Sequence, residues 1–216
     1  MTKKTALLII EGVDGAGKTT LAQECMRQIE MSGRSCRSHH FPSRMWTEPQ
    51  SGIDWGSASA LERANWFYQD FSQGMGRLLA HDPDFIVLDR SYISTLVYQG
   101  FDLSNKKIAA FDMLSWAGAF IFAADQRIGT ITLAHMDTPA DVCAQRIVGR
   151  GAGKDEFDAL TLDRLHDKLL AYKERYEIAF EAGVAAMREL KQGVYFTKSY
   201  QVEEPGVLAG IILDGK

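Results

Sequence analysis

Cysteine is scarce in this chain of 216 residues: Cys25, Cys36 and Cys143 are the whole complement, odd in number and unclustered. That excludes a disulfide framework and a thiolate zinc site, and it fits small buried thiols in a reducing compartment. Long apolar runs are missing too. The run Ala6–Ile10 follows two lysines but meets Glu11, too soon for the apolar region of a signal peptide. No segment approaches the ~18 apolar residues of a membrane span. Neither sign of charge dominates: 24 basic against 28 acidic residues leave a formal net charge of −4. Such a balance gives the whole molecule no pull toward nucleic acid or an anionic membrane. The expectation is a cytoplasmic protein whose partners are small molecules.

Internal repeats and low-complexity tracts are absent as well, and hydrophobic residues make up 46%, enough for one sizeable core. Short continuous apolar runs read as strands buried on both faces: Thr5–Ile10, Ser35–Phe41, Phe85–Asp89, Thr130–Asp137 and Val194–Ser199. Between them, helical spacing of apolar residues predicts helices over Lys18–Met31, Ala58–Ala80, Ser91–Val97, Lys106–Ala119, Pro139–Arg150, Glu156–Leu190 (in one piece or two) and Glu203–Leu213. Buried strands alternating with helices imply an α/β fold of three layers, a five-stranded parallel sheet flanked by helices. No linker interrupts it. One domain is expected, with a glycine-rich flap near residues 149–157.

The chain's chemistry is concentrated where the first strand ends. "IIEGVDGAGKTT" places Gly12, Gly17, Lys18 and Thr19 in the pattern G-x-x-x-x-G-K-[ST]. A strand stops and a helix starts there, so unpaired backbone N–H groups and the positive helix end face one point. Glycines let the backbone close around phosphate oxygens, the lysine reaches the terminal phosphates, and the Thr19 hydroxyl ligates Mg²⁺. The ATP-binding set is therefore Gly12, Gly15, Ala16, Gly17, Lys18, Thr19 and Thr20. "FIVLDR" adds Asp89 at a strand end, where a carboxylate meets the metal, and Arg90 on the same rim. A guanine-nucleotide switch would carry N-K-x-D; the nearest string, "NKKI" at Asn105–Ile108, lacks the acid.

These residues resemble the thymidylate kinase family across nearly the whole chain, in the right order. "EGVDGAGKTT" is similar to its loop, "LDRSYISTLVYQG" to its D-R segment, "MDTPADVCAQRIVGRGAGKDEFD" to its strand–helix–lid segment and "FPSR" to its F-P-x-R. The resemblance implies transfer of the γ-phosphate of ATP to the 5′-phosphate of a deoxynucleoside monophosphate, thymidylate above all, with Mg²⁺. It also implies roles. Asp14 lies by the acceptor phosphate, Arg44 and Arg90 clamp it, and Lys18 neutralises the transferring group. Phe67 stacks on the base; Tyr98 and Gln99 line the nucleoside pocket. Arg146, Arg150 and Lys154 close over ATP from the lid side, and the family is usually a homodimer built on helices equivalent to Ala58–Ala80 and Lys106–Ala119.

The chain departs from the family four residues after Phe67, where a base-reading Arg is common and Phe71 stands here. The nearby polar candidates for the base are Gln69, Asp70 and Gln73. "TEPQSG" also has Thr47 where bacterial members often place Arg. A second resemblance is thereby opened. "TEPQSGIDW" with "NWFYQ" is similar to the deoxynucleoside kinases, in which Glu48 would deprotonate a sugar hydroxyl and Gln69 would read the base. His39-His40, adjacent on a strand, face opposite ways and read as structural; Trp46, Trp55, Trp66 and Trp116 divide between core packing, an interface and a base cap.

Overall fold

Five parallel strands bring their carboxyl ends to one rim, and the site is built there. The computed structural model describes residues 4–42, 57–98, 126–150, 157, 160–190, 194–200 and 206. In chain order the elements are β1 (Thr5–Glu11), α1 (Lys18–Met31), β2 (Cys36–His40), α2 (Ala60–Leu79), β3 (Phe85–Asp89), α3 (Tyr92–Tyr98), β4 (Ile128–Asp137), α4 (Ala140–Gly149), α5 (Leu162–Leu190) and β5 (Val194–Tyr200). The sheet order is β2-β3-β1-β4-β5, every neighbouring pair parallel. The expected α/β fold with five parallel strands is thus the observed one.

Register matters more than length. Ile10 pairs with Asp89, His40 with Asp89 and Glu11 with His135, so His40, Glu11, Asp89 and His135 stand side by side on the rim. The chain leaves β1 toward β2 and β3, then crosses to β4 on the other side of β1. A crevice at the end of β1 is the consequence, and α/β sheets place ligands in such crevices. Beneath the rim, Leu7 to Ile10 of β1 and Ile86 to Leu88 of β3 are buried almost completely. Each such side chain contributes about 1.5–3 kcal/mol of transfer free energy.

Element ends differ from the expectations for local reasons. α2 begins at Ala60 because Ser59 caps it: the Ser59 hydroxyl accepts from Glu62 N–H at 3.2 Å, and the Glu62 carboxylate accepts from Ser59 N–H at 2.7 Å. β4 gains Ile128, which pairs with Thr5 across a register shift. α5 starts at Leu162, and Phe157 ahead of it is tucked into the core beside Tyr98 and Tyr172. The rest of α5 is one helix of 29 residues. The expected helix Lys106–Ala119, with Trp116, lies outside the described residues, as does Glu203–Leu213 except Gly206.

α2 lies close against the end of β2. A Cβ on Gly74 would sit 2.9 Å from the Phe41 ring, so glycine is what permits this approach. His39 packs edge-on to Phe41 at 4.5 Å, with Nε2 buried and lacking a hydrogen-bond partner among the described residues. Burial holds the His39 imidazole below its ordinary value, assisted by Arg77 and His40 and opposed by the Asp70 carboxylate. As pH falls through the ordinary imidazole range, the unfolded chain therefore takes up this proton before the folded one, and stability is lost. Urea unfolding at pH 7.5 and pH 5.5 tests this: wild type should lose more stability on acidification than His39→Gln, and equal losses would contradict the assignment.

Candidate active site

The loop between β1 and α1 is shaped by backbone that side chains rarely permit. Gly12, Gly15 and Gly17 have φ of 146°, 79° and 97°. A Cβ on Gly15 would lie 2.5 Å from the Cys143 carbonyl oxygen, and one on Gly12 would lie 2.7 Å from that of Met136. The loop is therefore pressed onto the end of β4 and the start of α4. Gly17 caps α1 with no side-chain hydrogen bond and no acid in the first turn, which leaves the N-terminal amides of α1 directed at the loop. Further bonds pin it from outside. Thr138 Oγ1 donates to the Ala16 carbonyl at 2.9 Å, and Lys173 Nζ holds Thr138 O at 2.9 Å and Asp137 Oδ1 at 2.6 Å. Arg146 Nη1 donates to the Gly15 carbonyl at 3.1 Å, so one of the two expected ATP-side arginines of α4 reaches the loop.

Lys18 is folded back on its own loop, its Nζ donating to Val13 O at 2.7 Å. Burial, with Arg90 nearby, pulls its ammonium down to about 8. Thr19 Oγ1 donates to Asp89 Oδ2 at 2.5 Å, and His40 Nδ1 lies 3.0 Å from the same oxygen. The other carboxylate oxygen, Oδ1, is buried and has no hydrogen-bond partner among the described residues. Burial works to raise the Asp89 carboxyl, but hydrogen bonds from His40 and Thr19 outweigh it and hold the group below the usual carboxylate range. His40 thus belongs to the site, contrary to the structural role read for the His39-His40 pair. Its strand register with Asp89, invisible without the sheet order, is the reason.

Arg90 turns the chain at φ 76° and directs its guanidinium back over β1. Nη2 forms an ion pair with Asp14 Oδ1, Nη1 donates to Ser94 Oγ at 3.3 Å, and the guanidinium carbon lies 5.2 Å from the centre of the Tyr98 ring. The Tyr98 hydroxyl accepts from Asp14 N–H at 3.1 Å. Burial acts to raise the Asp14 carboxyl; Arg90 and Lys18 overcome it and lower it. Beneath this pair lies Glu11, fully buried. It accepts from Ser91 N–H, Ser91 Oγ and Ser94 Oγ, each at 2.6 Å, while Tyr176 OH lies 2.7 Å from Ser94 Oγ. Burial raises the Glu11 carboxyl against those bonds. Glu11, Ser91 and Ser94 went unread in the sequence. The adjacency of "IIEG" and "DRSYIS" on neighbouring strands is the only signal that points to them.

A cavity of about 260 Å³ opens between this rim and α2, lined by Asp14, His40, Phe41, Pro42, Phe67, Asp70, Phe71, Arg90, Ser91, Tyr92, Ser94, Thr95 and Tyr98. Of the expected acceptor residues, it collects Asp14, Phe67, Phe71, Arg90 and Tyr98. Gln69 is not among them. With 100° per residue, Phe67, Asp70 and Phe71 share one face of α2, and Gln69 is turned away into solvent. Phe71 is largely core, packed against Phe41 at 4.9 Å, and forms the cavity floor. Thr20 is exposed on α1, and Arg150 is exposed at the end of α4. Arg44, Glu48, Gln99 and Lys154 lie outside the described residues.

The loop's geometry yields a measurable cost. Gly15→Ala combines left-handed strain with a backbone clash, whereas Gly33→Ala, at φ 76° with nothing within 4 Å, carries strain alone. Chemical denaturation should show both destabilised, Gly15→Ala by about 1–3 kcal/mol more than Gly33→Ala; equal costs would mean that the loop is not pressed on Cys143.

Comparison with known proteins adds to the geometry. The family model for thymidylate kinase matches residues 10–181. Among curated relatives, a thymidylate kinase of Xanthomonas oryzae pv. oryzae is 35% identical over 99 residues, covering 44% of each chain. One from Xanthomonas campestris pv. campestris is 31% identical over 105 residues, covering 46% of each. One from Danio rerio is 45% identical over 42 residues, 19% of this chain and 20% of that protein. The matched stretch spans less than half the length of these relatives. The family match runs from the end of β1 into α5 and takes in the loop, the Asp89-Arg90 rim and the α2 wall, so the chain belongs to the thymidylate kinase family.

Proposed function

We propose that the chain transfers the γ-phosphate of ATP to the 5′-phosphate of a deoxynucleoside monophosphate, thymidylate being the acceptor that the relatives' names point to. The observation that carries this is the placement of Arg90. A buried guanidinium on the cavity side of the phosphate loop, paired with Asp14 and 5.2 Å from the Tyr98 ring, is suited to an anion that arrives already formed. An acceptor phosphate oxygen bonds to the γ-phosphorus while the bond to the β,γ-bridging oxygen breaks and ADP leaves. Lys18 moves from Val13 O to the terminal phosphates, and Arg90 steadies the acceptor. Transfer of this kind needs two phosphates in line and cations on the developing charge rather than covalent help.

Magnesium fits the residues present. Thr19 and Asp89 offer hard oxygen donors, and Asp89 Oδ1 is buried without a partner among the described residues. Among the described residues no three acids, histidines or cysteines converge, as suits an ion completed by phosphates and water. Thr19 and Asp89 would hold it, and it would neutralise charge on the transferred group. The flap near 149–157, with Arg146 already on the loop, belongs to the same reading as a single-domain kinase's lid over ATP. So do the cytoplasmic location and the homodimer, for which family membership is the support. Among the described residues no helix is long and apolar enough to cross a membrane.

The deoxynucleoside kinase alternative differs in one respect: its acceptor carries no phosphate. Deoxythymidine should not be phosphorylated by Mg-ATP under conditions that convert thymidylate to its diphosphate, and comparable turnover of both would refute the assignment. Arg90→Lys keeps the charge and loses the fork. It should lower kcat/KM for the monophosphate by about 10–100-fold, on the scale of one or two charge-assisted hydrogen bonds, and unchanged steady-state kinetics would remove Arg90 from the acceptor site.

A further inference from the structure

Resting on the proposed kinase reading, we infer that Asp70 is the residue that reads the acceptor base, and that it extends the acceptor range to bases bearing an exocyclic amino group. The cavity has two unlike ends. At the rim stand Arg90, Asp14 and the serines, which suit a phosphate. At α2 stand Phe67 and Phe71, with Phe41 and Pro42 beside them, forming a flat apolar slot of the kind that takes a planar ring. Asp70 is the charged residue of that second end, 1% exposed, and helix geometry puts it on the face it shares with Phe67 and Phe71.

The sign of that charge decides what it can recognise. A carboxylate accepts hydrogen bonds and donates none. Thymine presents one N–H flanked by two carbonyl oxygens, which a carboxylate repels. Cytosine and adenine present an amino group on the pairing edge, and guanine presents adjacent N–H donors that can engage both carboxylate oxygens. Among the described residues lining the cavity, the basic groups are both engaged elsewhere: Arg90 by Asp14 and His40 by Asp89. Neither is committed to a base carbonyl. Position 71, the place for an arginine that would answer such a carbonyl, holds a phenylalanine in the core.

The test is a panel of dTMP, dCMP, dAMP and dGMP with Mg-ATP, for wild type and Asp70→Asn, with equilibrium binding of each monophosphate measured alongside transfer. Asparagine keeps the size and adds a donor that suits thymine. The expected result is at least one amino-bearing monophosphate with kcat/KM no lower than about a tenth of that for dTMP. The ratio of that value to the one for dTMP should fall about tenfold in Asp70→Asn, the discrimination one well-placed polar pair supplies. Wild type below that tenth for all three amino-bearing substrates overturns the inference even if the variant is unfolded; so does a variant ratio within about threefold of wild type. Binding separates the two claims. An amino preference in binding that Asp70→Asn abolishes, without transfer to any monophosphate, supports Asp70 as the reader and refutes the kinase reading. Neither binding nor transfer refutes both.

Discussion

The structure depends on a constraint at Arg90: a positive charge is held on the sheet rim, turned back over β1 by a left-handed backbone, with carboxylates on two sides. Asp14 meets it directly, and Glu11 lies below, reached through Ser94. Taking a guanidinium out of water is costly unless its hydrogen bonds are satisfied. Here Asp14, Ser94 and the Tyr98 ring supply them in the absence of substrate. A phosphate entering the cavity would compete with Asp14 for the same guanidinium, so the ion pair is a place-holder with the charge of the ligand it anticipates.

Opposing charges around one point also explain why the loop can be so bare. Lys18 is close to Arg90, and burial with that repulsion brings its ammonium down to about 8. Two cations close together without an anion are destabilising. The loop relieves the strain by turning Lys18 onto Val13 O, and the arrival of a polyphosphate removes the reason for that turn. Three buried or half-buried acids, Glu11, Asp14 and Asp89, keep the unliganded site near neutrality, each bound to different donors so that none is idle except at Asp89 Oδ1.

Much of this was legible from the chain. Buried parallel strands read as apolar runs because both faces of the sheet are covered, and Phe85–Asp89 and Lys18–Met31 match their expected bounds. The phosphate loop was legible because its glycines are demanded by backbone geometry, which leaves a local mark in sequence. What was not legible depends on rotation or on neighbours. Gln69 and Asp70 are adjacent in sequence and equally polar; only the phase of α2, set by its Ser59 cap and its Gly74 contact with Phe41, puts one in the cavity and the other in solvent. His40 and Glu11 acquire meaning from the strands beside them, and sheet order is a property that no local pattern records.

The central claim is that the amides of the loop and the Arg90 guanidinium hold two phosphates facing each other. A crystal structure with a non-hydrolysable ATP analogue and a deoxynucleoside monophosphate tests it most directly. The account predicts the γ-phosphate within the turn from Gly12 to Thr19, Arg90 moved from Asp14 onto the acceptor phosphate, and the reacting atoms about 3–3.5 Å apart. An acceptor phosphate bound away from Arg90, with the Asp14 ion pair intact, would contradict it.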